Sequence, residues 1–232
     1  MDTIHVEHPH EDFQIKYLDP VLKTVSFLTA SLTDKERLYK VKNYFKYTFI
    51  RNPLERLLSA YLDKVKQKTQ KGWEDEIKAG ILKRYQIEEF QRWKKHGHSY
   101  IPQVSFPAYV HWIVDARDEK LDQHFSPTVL NIYPCRIKYD FYGNFKQMNT
   151  DMRMVINKLQ APPEYFQNAS YHHSERETIE LLEGYYSLLD QGLKHQLFHK
   201  MYHDLDFYYH LYPEERTSHC KLLETDDVIN DY

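Results

Sequence analysis

Apolar residues recur every three or four positions over most of the chain, which is the spacing of one face of an α-helix. The first helix is predicted from Ser31 or Thr33, either of which can cap it, to near Asn43, because acidic residues follow in its first turn. The same spacing predicts helix within residues 73–93 and again after Pro107. Helices therefore dominate the expected fold.

Two stretches do not follow helical spacing and predict strands instead. Residues 44–50 form an almost unbroken aromatic and β-branched run, typical of a strand that is buried on both faces in a parallel sheet. Residues 135–145 have the alternation of a short strand, which Gly143 is expected to stop. The carboxyl-terminal third predicts helices, broken near Gly184 or Gly192. We therefore predict one α/β domain with a central, mainly parallel sheet flanked by helices.

The first predicted strand runs directly into a helix start. Asn52 is a favourable N-cap residue, and Pro53 suits the first helical position, where its missing N–H removes no hydrogen bond. The residues that follow place an apolar stripe on one face of this helix, which we expect to pack against the sheet. The stripe consists of Leu54, Leu57, Leu58, Tyr61, Leu62 and Val65.

This strand–helix junction has the features of an anion site. Free backbone N–H groups and the positive end of the helix dipole meet there, and Arg51 stands at the same edge. The planar guanidinium of Arg51 can clamp a phosphate through two hydrogen bonds, and the hydroxyl of Ser59 can donate another. The residue types also permit a second interpretation, in which Arg51 pairs with a carboxylate such as Glu55 and Ser59 is a small packing residue.

Composition limits the classes of function. The chain of 232 residues is 41% hydrophobic and 15% aromatic, enough for one sizeable core. Its formal net charge is −3 with the histidines neutral, which does not fit a general nucleic-acid binder. Any anion site must therefore be local.

Three features bear on the cellular compartment. Cys135 and Cys220 are the two cysteines, which excludes a multi-disulfide scaffold and leaves either one long-range bridge or two free thiols. Asn168 begins an N-glycosylation sequon, which suits a luminal protein. The sequence has neither a signal peptide at Met1 nor an apolar run of membrane-spanning length. We expect a chain that is soluble as it stands, unless an anchor precedes it.

The segment "FIRNPLERLLSAYLDK" closely resembles the 3′-phosphate-binding motif of the Golgi carbohydrate sulfotransferases that include the chondroitin and dermatan enzymes, F-x-R-[DN]-P-x-x-R-L-x-S-A-Y-x-D-K. Similar segments follow in the family's order: "FPAYVHWIVD", "HFSPTVLNIYPCRIKYDFYGNF" and "MYHDLDFYYHLYP". The resemblance covers roughly residues 26–213.

This resemblance implies a P-loop-like sulfotransferase fold and transfer of a sulfuryl group from 3′-phosphoadenosine 5′-phosphosulfate to a sugar hydroxyl. It implies that Arg51 and Ser59 bind the 3′-phosphate of this donor, and that His124, in the segment similar to H-W-x-P, is the candidate base. A structural or loop role for His124 remains open. Arg56 also matches the motif and is either a ligand or a surface ion-pair partner.

The resemblance also implies the setting of the reaction. The expected acceptor is a glycosaminoglycan or a glycoprotein glycan, with no metal cofactor and no nucleic-acid partner. The expected location is the luminal side of the Golgi membrane, through an anchor that these residues do not contain.

The sequence departs from the family pattern at several positions. Phe125 and Ser126 stand where the family has tryptophan and a basic residue, and Ile132 replaces a cysteine near Cys135, so a local disulfide is impossible. These differences weaken the assignment of a catalytic role to His124.

The family's donor loop, K-V-[AG]-x-[ST]-N-W, has no equivalent that we find here; residues 22–31 are better interpreted as a loop before the next helix. We therefore predict an uncertain segment at residues 1–25, a partial sulfotransferase domain without its first strand at 26–213, and an acidic tail at 214–232. Two functions follow: a carbohydrate sulfotransferase, or a non-catalytic relative that binds a glycan or a partner. The chain by itself is expected to transfer little sulfate.

Overall fold

The computed structural model describes residues 32–66, 72–96, 101–162 and 175–216, with side chains of the last range from residue 179 onward. The chain divides into two compact units. The strand unit comprises Met1–Phe49 and Val129–Gln167, and the helical unit comprises Ile50–Thr128 and Asn168–Tyr232. The domain boundary predicted after residue 25 lies outside the described residues.

Nine α-helices and two strands lie in the described part of the chain. The helices are α1 (Asp34–Asn43), α2 (Pro53–Ala60), α3 (Gly72–Tyr85), α4 (Ile87–His96), α5 (Phe106–Asp115), α6 (Thr128–Ile132), α7 (Met148–Leu159), α8 (Glu175–Tyr186) and α9 (Gln191–Leu211). The strands are β1 (Tyr47–Ile50) and β2 (Phe141–Asn144). A π-helical segment (Tyr61–Lys66) continues α2, and short 3₁₀ helices cover Asp118–Lys120, Phe145–Gln147 and Pro213–Glu215.

Helix α1 begins as its sequence predicts. The Thr33 side chain accepts a hydrogen bond from the Glu36 amide at 3.3 Å, and the Glu36 carboxylate accepts one from the Thr33 amide at 2.7 Å. This reciprocal pair is a capping box. The predicted end near Asn43 is also confirmed.

The two strands form a parallel pair, which confirms the predicted α/β class. The amide of Asp140 donates to the Lys46 carbonyl at 2.8 Å, and Gly143 lies against the ring of Phe49. Both contacts join residues at the same offset, as a parallel register requires.

The prediction of a strand over residues 44–50, buried on both faces, is wrong. Strand β1 begins only at Tyr47, and Tyr44 and Tyr47 are 55% and 40% exposed. Because β1 pairs with a single strand in the described part of the chain, its aromatic side chains are only partly covered. The aromatic run marks a half-buried edge strand, which uses the same residue types.

Gly143 does not stop β2 but lies within it. A Cβ atom at this position would be 2.5 Å from Cε1 and 2.6 Å from Cδ1 of Phe49. Only glycine therefore lets the two strands pair while the ring of Phe49 lies across them.

The apolar stripe of α2 lies in a core of the helical unit, and its expected packing against the sheet stays a prediction. Leu54, Leu57 and Tyr61 are each at most 2% exposed in this core. Tyrosine hydroxyls fix the helix in this core: Tyr109 of α5 donates to the Leu57 carbonyl at 3.2 Å, and Tyr186 of α8 donates to the Leu54 carbonyl at 3.0 Å. Burial raises the pKa of both phenols.

The break in the carboxyl-terminal helices lies between Tyr186 and Gln191, next to the predicted glycines but at neither of them. Gly184 is inside α8, and Gly192 is in the first turn of α9. The side chain of Asp190 caps α9 by accepting from the Leu193 amide at 2.8 Å, which is the signal that sets this boundary.

Other sequence features can be located only in part. The thiol of Cys135 is free and exposed, whereas Cys220 and the sequon at Asn168 lie outside the described residues. None of the helices in the described ranges has both the length and the apolar composition of a membrane span.

We predict that Gly143→Ala lowers the free energy of unfolding by about 1–3 kcal/mol, because the new methyl group overlaps the ring of Phe49. The matched control is Gly80→Ala in α3, where a Cβ meets no atom within 4 Å. That change should raise stability by about 0.5–1 kcal/mol, through helix propensity alone. Urea unfolding of both variants measures the difference; equal behaviour of the two would contradict the predicted overlap.

Candidate functional site

The candidate phosphate site begins at the junction between β1 and α2. The Asn52 side chain, 1% exposed, accepts hydrogen bonds from the amides of Leu54 at 2.9 Å and Glu55 at 3.4 Å. The predicted cap is therefore confirmed, with Pro53 in the first helical position. These two amides were among the donors expected for an anion, and Asn52 already occupies them. A phosphate here would depend mainly on side-chain donors.

Arg51 pairs with the carboxylate of Glu55. Its Nε atom is 3.6 Å from Glu55 Oε2, and the side chains are 27% and 4% exposed. This is the ion pair that the sequence left open as the alternative to phosphate binding. A guanidinium carries five N–H donors, so one such contact does not exhaust its hydrogen-bonding capacity. The pair orients Arg51 along the first turn of α2.

Ser59 is half-buried on the same helix. It follows Glu55 by four residues, so these two side chains lie on one face of α2, whereas Arg51 precedes the N-cap Asn52 and lies outside the helix. The two predicted phosphate ligands are linked through Glu55, which pairs with Arg51 and shares a helix face with Ser59. The burial of this carboxylate was not predicted from the sequence.

Arg56 is not the exposed ion-pair partner that was one of its two interpretations. Its guanidinium donates to the Ser126 carbonyl at 2.5 Å and the His124 carbonyl at 3.4 Å, and Nη2 is 3.5 Å from Asp204 Oδ2. Burial lowers the pKa of Arg56, although the nearby Asp204 opposes this shift. Arg56 thus attaches α2 to the loop that contains His124.

Asp204 completes this connection from α9. Its side chain is fully buried, and Oδ2 accepts a hydrogen bond from the Thr128 amide at 2.6 Å. The same oxygen therefore contacts the start of α6 and the guanidinium of Arg56. One carboxylate joins α9, α2 and the segment from His124 to Thr128.

His124 is paired with a carboxylate two residues before it. Its ring Nδ1 contacts Asp122 Oδ1, and the same oxygen accepts from the His124 amide at 3.0 Å. Burial raises the pKa of Asp122, but the hydrogen bonds from the backbone and ring of His124 outweigh it, so the pKa is lowered overall. An ionised Asp122 favours the tautomer with hydrogen on Nδ1, which leaves Nε2 as a proton acceptor.

Lys64, the last residue of the segment "FIRNPLERLLSAYLDK", is connected to the same histidine through α3. Lys64 lies 3.0 Å from Asp63 and 3.7 Å from the buried Glu74 in the first turn of α3. Trp73 precedes Glu74 in that turn, and its ring stacks on the ring of His124 with centroids 6.0 Å apart and planes inclined by 24°. The ion pair between Lys64 and Glu74 thus connects the π-helical segment to α3, the helix that carries Trp73.

Two carboxylates of this site were not predicted from the sequence. Asp204 interrupts the buried stripe of α9, and a carboxylate on an apolar stripe is a signal for a buried cationic partner. Asp122 precedes His124 by two residues, a spacing that permits the observed loop contact. The identity of the partner Arg56 depends on tertiary contacts and has no such local signal.

Comparison with known proteins adds independent information. A profile of the sulfotransferase family matches residues 7–210. Carbohydrate sulfotransferase 14 of Homo sapiens is 32% identical over 137 residues, which cover 58% of this chain and 34% of that protein. The Danio rerio protein of the same name is 26% identical over 192 residues, covering 83% and 51%.

Carbohydrate sulfotransferase 11 of Rattus norvegicus is 27% identical over 163 residues, covering 69% of this chain and 45% of that protein. The chain thus spans about a third to a half of the length of these curated relatives. No solved structure gave a significant match.

Proposed function

The chain belongs to the sulfotransferase family, and we propose that it transfers a sulfuryl group from 3′-phosphoadenosine 5′-phosphosulfate to a hydroxyl group of a carbohydrate. The names of the relatives, all carbohydrate sulfotransferases, support this class of acceptor. The proposed acceptor is a glycosaminoglycan or a glycoprotein glycan. The proposed location is the Golgi lumen, where Asn168 can carry a glycan.

Arg51 and Ser59 are proposed to bind the 3′-phosphate of the donor. The observation that carries this assignment is that Arg51, just before α2, and Ser59, within α2, stand at the residues that match the family's phosphate motif. Because Asn52 caps the first turn, the guanidinium is the main source of positive charge for the phosphate. Glu55 keeps Arg51 oriented before the nucleotide arrives.

His124 is proposed to accept the proton of the sugar hydroxyl. As the hydroxyl oxygen forms its bond to sulfur, the bond between sulfur and the bridging phosphate oxygen breaks, and the proton moves to His124 Nε2. The products are a sulfate ester and adenosine 3′,5′-bisphosphate. Asp122 stabilises the imidazolium that forms, since its carboxylate already contacts Nδ1. Arg56 acts only as a positioning residue, through the carbonyl of His124.

Nucleotide selection tests the phosphate site directly. We expect adenosine 3′,5′-bisphosphate to bind more tightly than AMP, and Arg51→Ala to remove about 1.5–3 kcal/mol of that preference, the typical value of a hydrogen bond to a charged group. Isothermal titration calorimetry with both nucleotides gives the ratio of affinities. This ratio is insensitive to a general loss of stability, because both nucleotides are measured on the same variant.

Two further variants distinguish the alternatives for Arg51. Arg117→Ala removes an exposed arginine, 72% accessible beside Glu119, and should leave the preference unchanged. Glu55→Gln removes the ion pair but not Arg51, and should retain the preference. If Arg51 serves only as a partner of Glu55, the ratio of affinities will be the same in Arg51→Ala as in the unmodified chain.

Turnover tests the proposed base. In any preparation with measurable transfer of radiolabelled sulfate, His124→Ala should reduce kcat by about 10²-fold or more and leave nucleotide affinity nearly unchanged. Asp122→Asn should also reduce kcat, because it weakens the preference for the required tautomer. The control is His111→Ala, whose ring stacks on Tyr85 in a different part of the helical unit. Normal turnover in the His124 variant would return this residue to a structural role.

A further inference from the structure

Helix α9 carries three histidines at intervals of four residues, at positions 195, 199 and 203. The spacing places neighbouring members of the series on one face of the helix, one turn apart. All three side chains are exposed, while the apolar residues of α9 face the core. The proposed transfer reaction uses none of these histidines.

The first two imidazoles are already in contact. Nε2 of His195 and Nε2 of His199 are 3.1 Å apart, and the ring centroids are 4.3 Å apart with planes inclined by 79°. In this arrangement one Nε2 donates its proton to the lone pair of the other. When the donor ring carries this hydrogen on its Nδ1 instead, both Nε2 lone pairs are available to a cation as ligands.

The separation of these nitrogens fits a transition-metal ion. Zinc–imidazole bonds are about 2.0–2.1 Å long, so two such bonds at cis-octahedral or tetrahedral angles place the nitrogens roughly 2.9–3.4 Å apart. The observed 3.1 Å lies within this interval. The separation of the two nitrogens therefore already matches that of two ligands of one ion.

We propose that His195 and His199 form a surface site for one divalent transition-metal ion of the copper, nickel and zinc group. The described residues contain no cluster of three or more metal-ligating side chains, so water completes the coordination of this ion. Imidazole nitrogen selects these metals over magnesium and calcium, which prefer oxygen ligands. The bound ion links two successive turns of α9 and stabilises that helix.

The surroundings of the pair are compatible with a bound cation. Two lysines are adjacent to the pair in sequence, Lys194 before His195 and Lys200 after His199. Lys200 is engaged elsewhere, because its ammonium group lies 2.6 Å from Asp118 and donates to the Ala116 carbonyl at 2.5 Å. The site is separate in chemistry from the sulfuryl transfer, which is expected to need no metal. Loss of metal binding and loss of nucleotide binding are therefore independent results.

Calorimetry on the tag-free chain tests the site with the chlorides of copper, nickel, zinc and magnesium. We expect one equivalent of Cu²⁺, Ni²⁺ or Zn²⁺ to bind, Cu²⁺ most tightly by the Irving–Williams order, and Mg²⁺ not to bind at this site. His195→Ala and His199→Ala should each weaken Ni²⁺ binding at least about tenfold. Saturating Ni²⁺ should raise the Tm of the unmodified chain and not of these two variants.

The control is His203→Ala, which removes the next histidine of the series but neither proposed ligand. It should bind Ni²⁺ as the unmodified chain does. Wild-type affinity in both His195→Ala and His199→Ala, or an equal loss in His203→Ala, would overturn the proposed pair. Circular dichroism verifies that α9 remains helical in each variant, and His195→Gln provides a second test that keeps a polar side chain.

Discussion

Asp204 is a carboxylate with no exposed surface, and such a group must find hydrogen-bond donors and a counter-charge where it lies. The guanidinium of Arg56 and the amide of Thr128 supply them, and two carbonyls of the intervening loop occupy other donors of the same guanidinium. A salt bridge of this kind is weak evidence for net stability, because desolvation offsets the attraction. The consequence is a constraint on geometry. If the His124 loop moved away from α2, a buried charged group would be left without its partner.

The residues of the segment "FIRNPLERLLSAYLDK" therefore divide into two roles. Arg56 and Lys64 have structural roles. Arg56 donates to a carbonyl of the His124 loop, and Lys64 pairs with Glu74 in the helix whose Trp73 stacks on His124. Arg51 and Ser59 are the residues proposed to bind the phosphate, and Glu55 pairs with the guanidinium of Arg51. A carboxylate beside an anion site lowers the affinity for the anion. In return, it holds the guanidinium in position before the anion binds.

Local signals predicted the local structure well. The caps at Thr33 and Asn52 and the buried stripe of α2 followed from residue types and spacing, because each depends on neighbours within a few residues. The partners of that stripe did not follow, since an apolar face packs equally well on a sheet or on helices. The burial of Arg56 was also not predicted, because its partner Asp204 lies far away in sequence. Strand β1 was predicted to be longer and more buried than it is, because aromatic residues suit both half-buried and fully buried strands.

A double-mutant cycle between Arg56 and Asp204 tests most directly whether this pair organises the site. Arg56→Met preserves the aliphatic volume of the side chain and removes the charge, and Asp204→Asn preserves the shape of the carboxylate. Urea unfolding of the two single variants and the double variant gives the coupling free energy. We expect a coupling of roughly 1.5–3 kcal/mol, since either single change leaves a buried group without its counter-charge. A coupling below about 0.5 kcal/mol, the usual error of additivity for independent sites, would contradict the account.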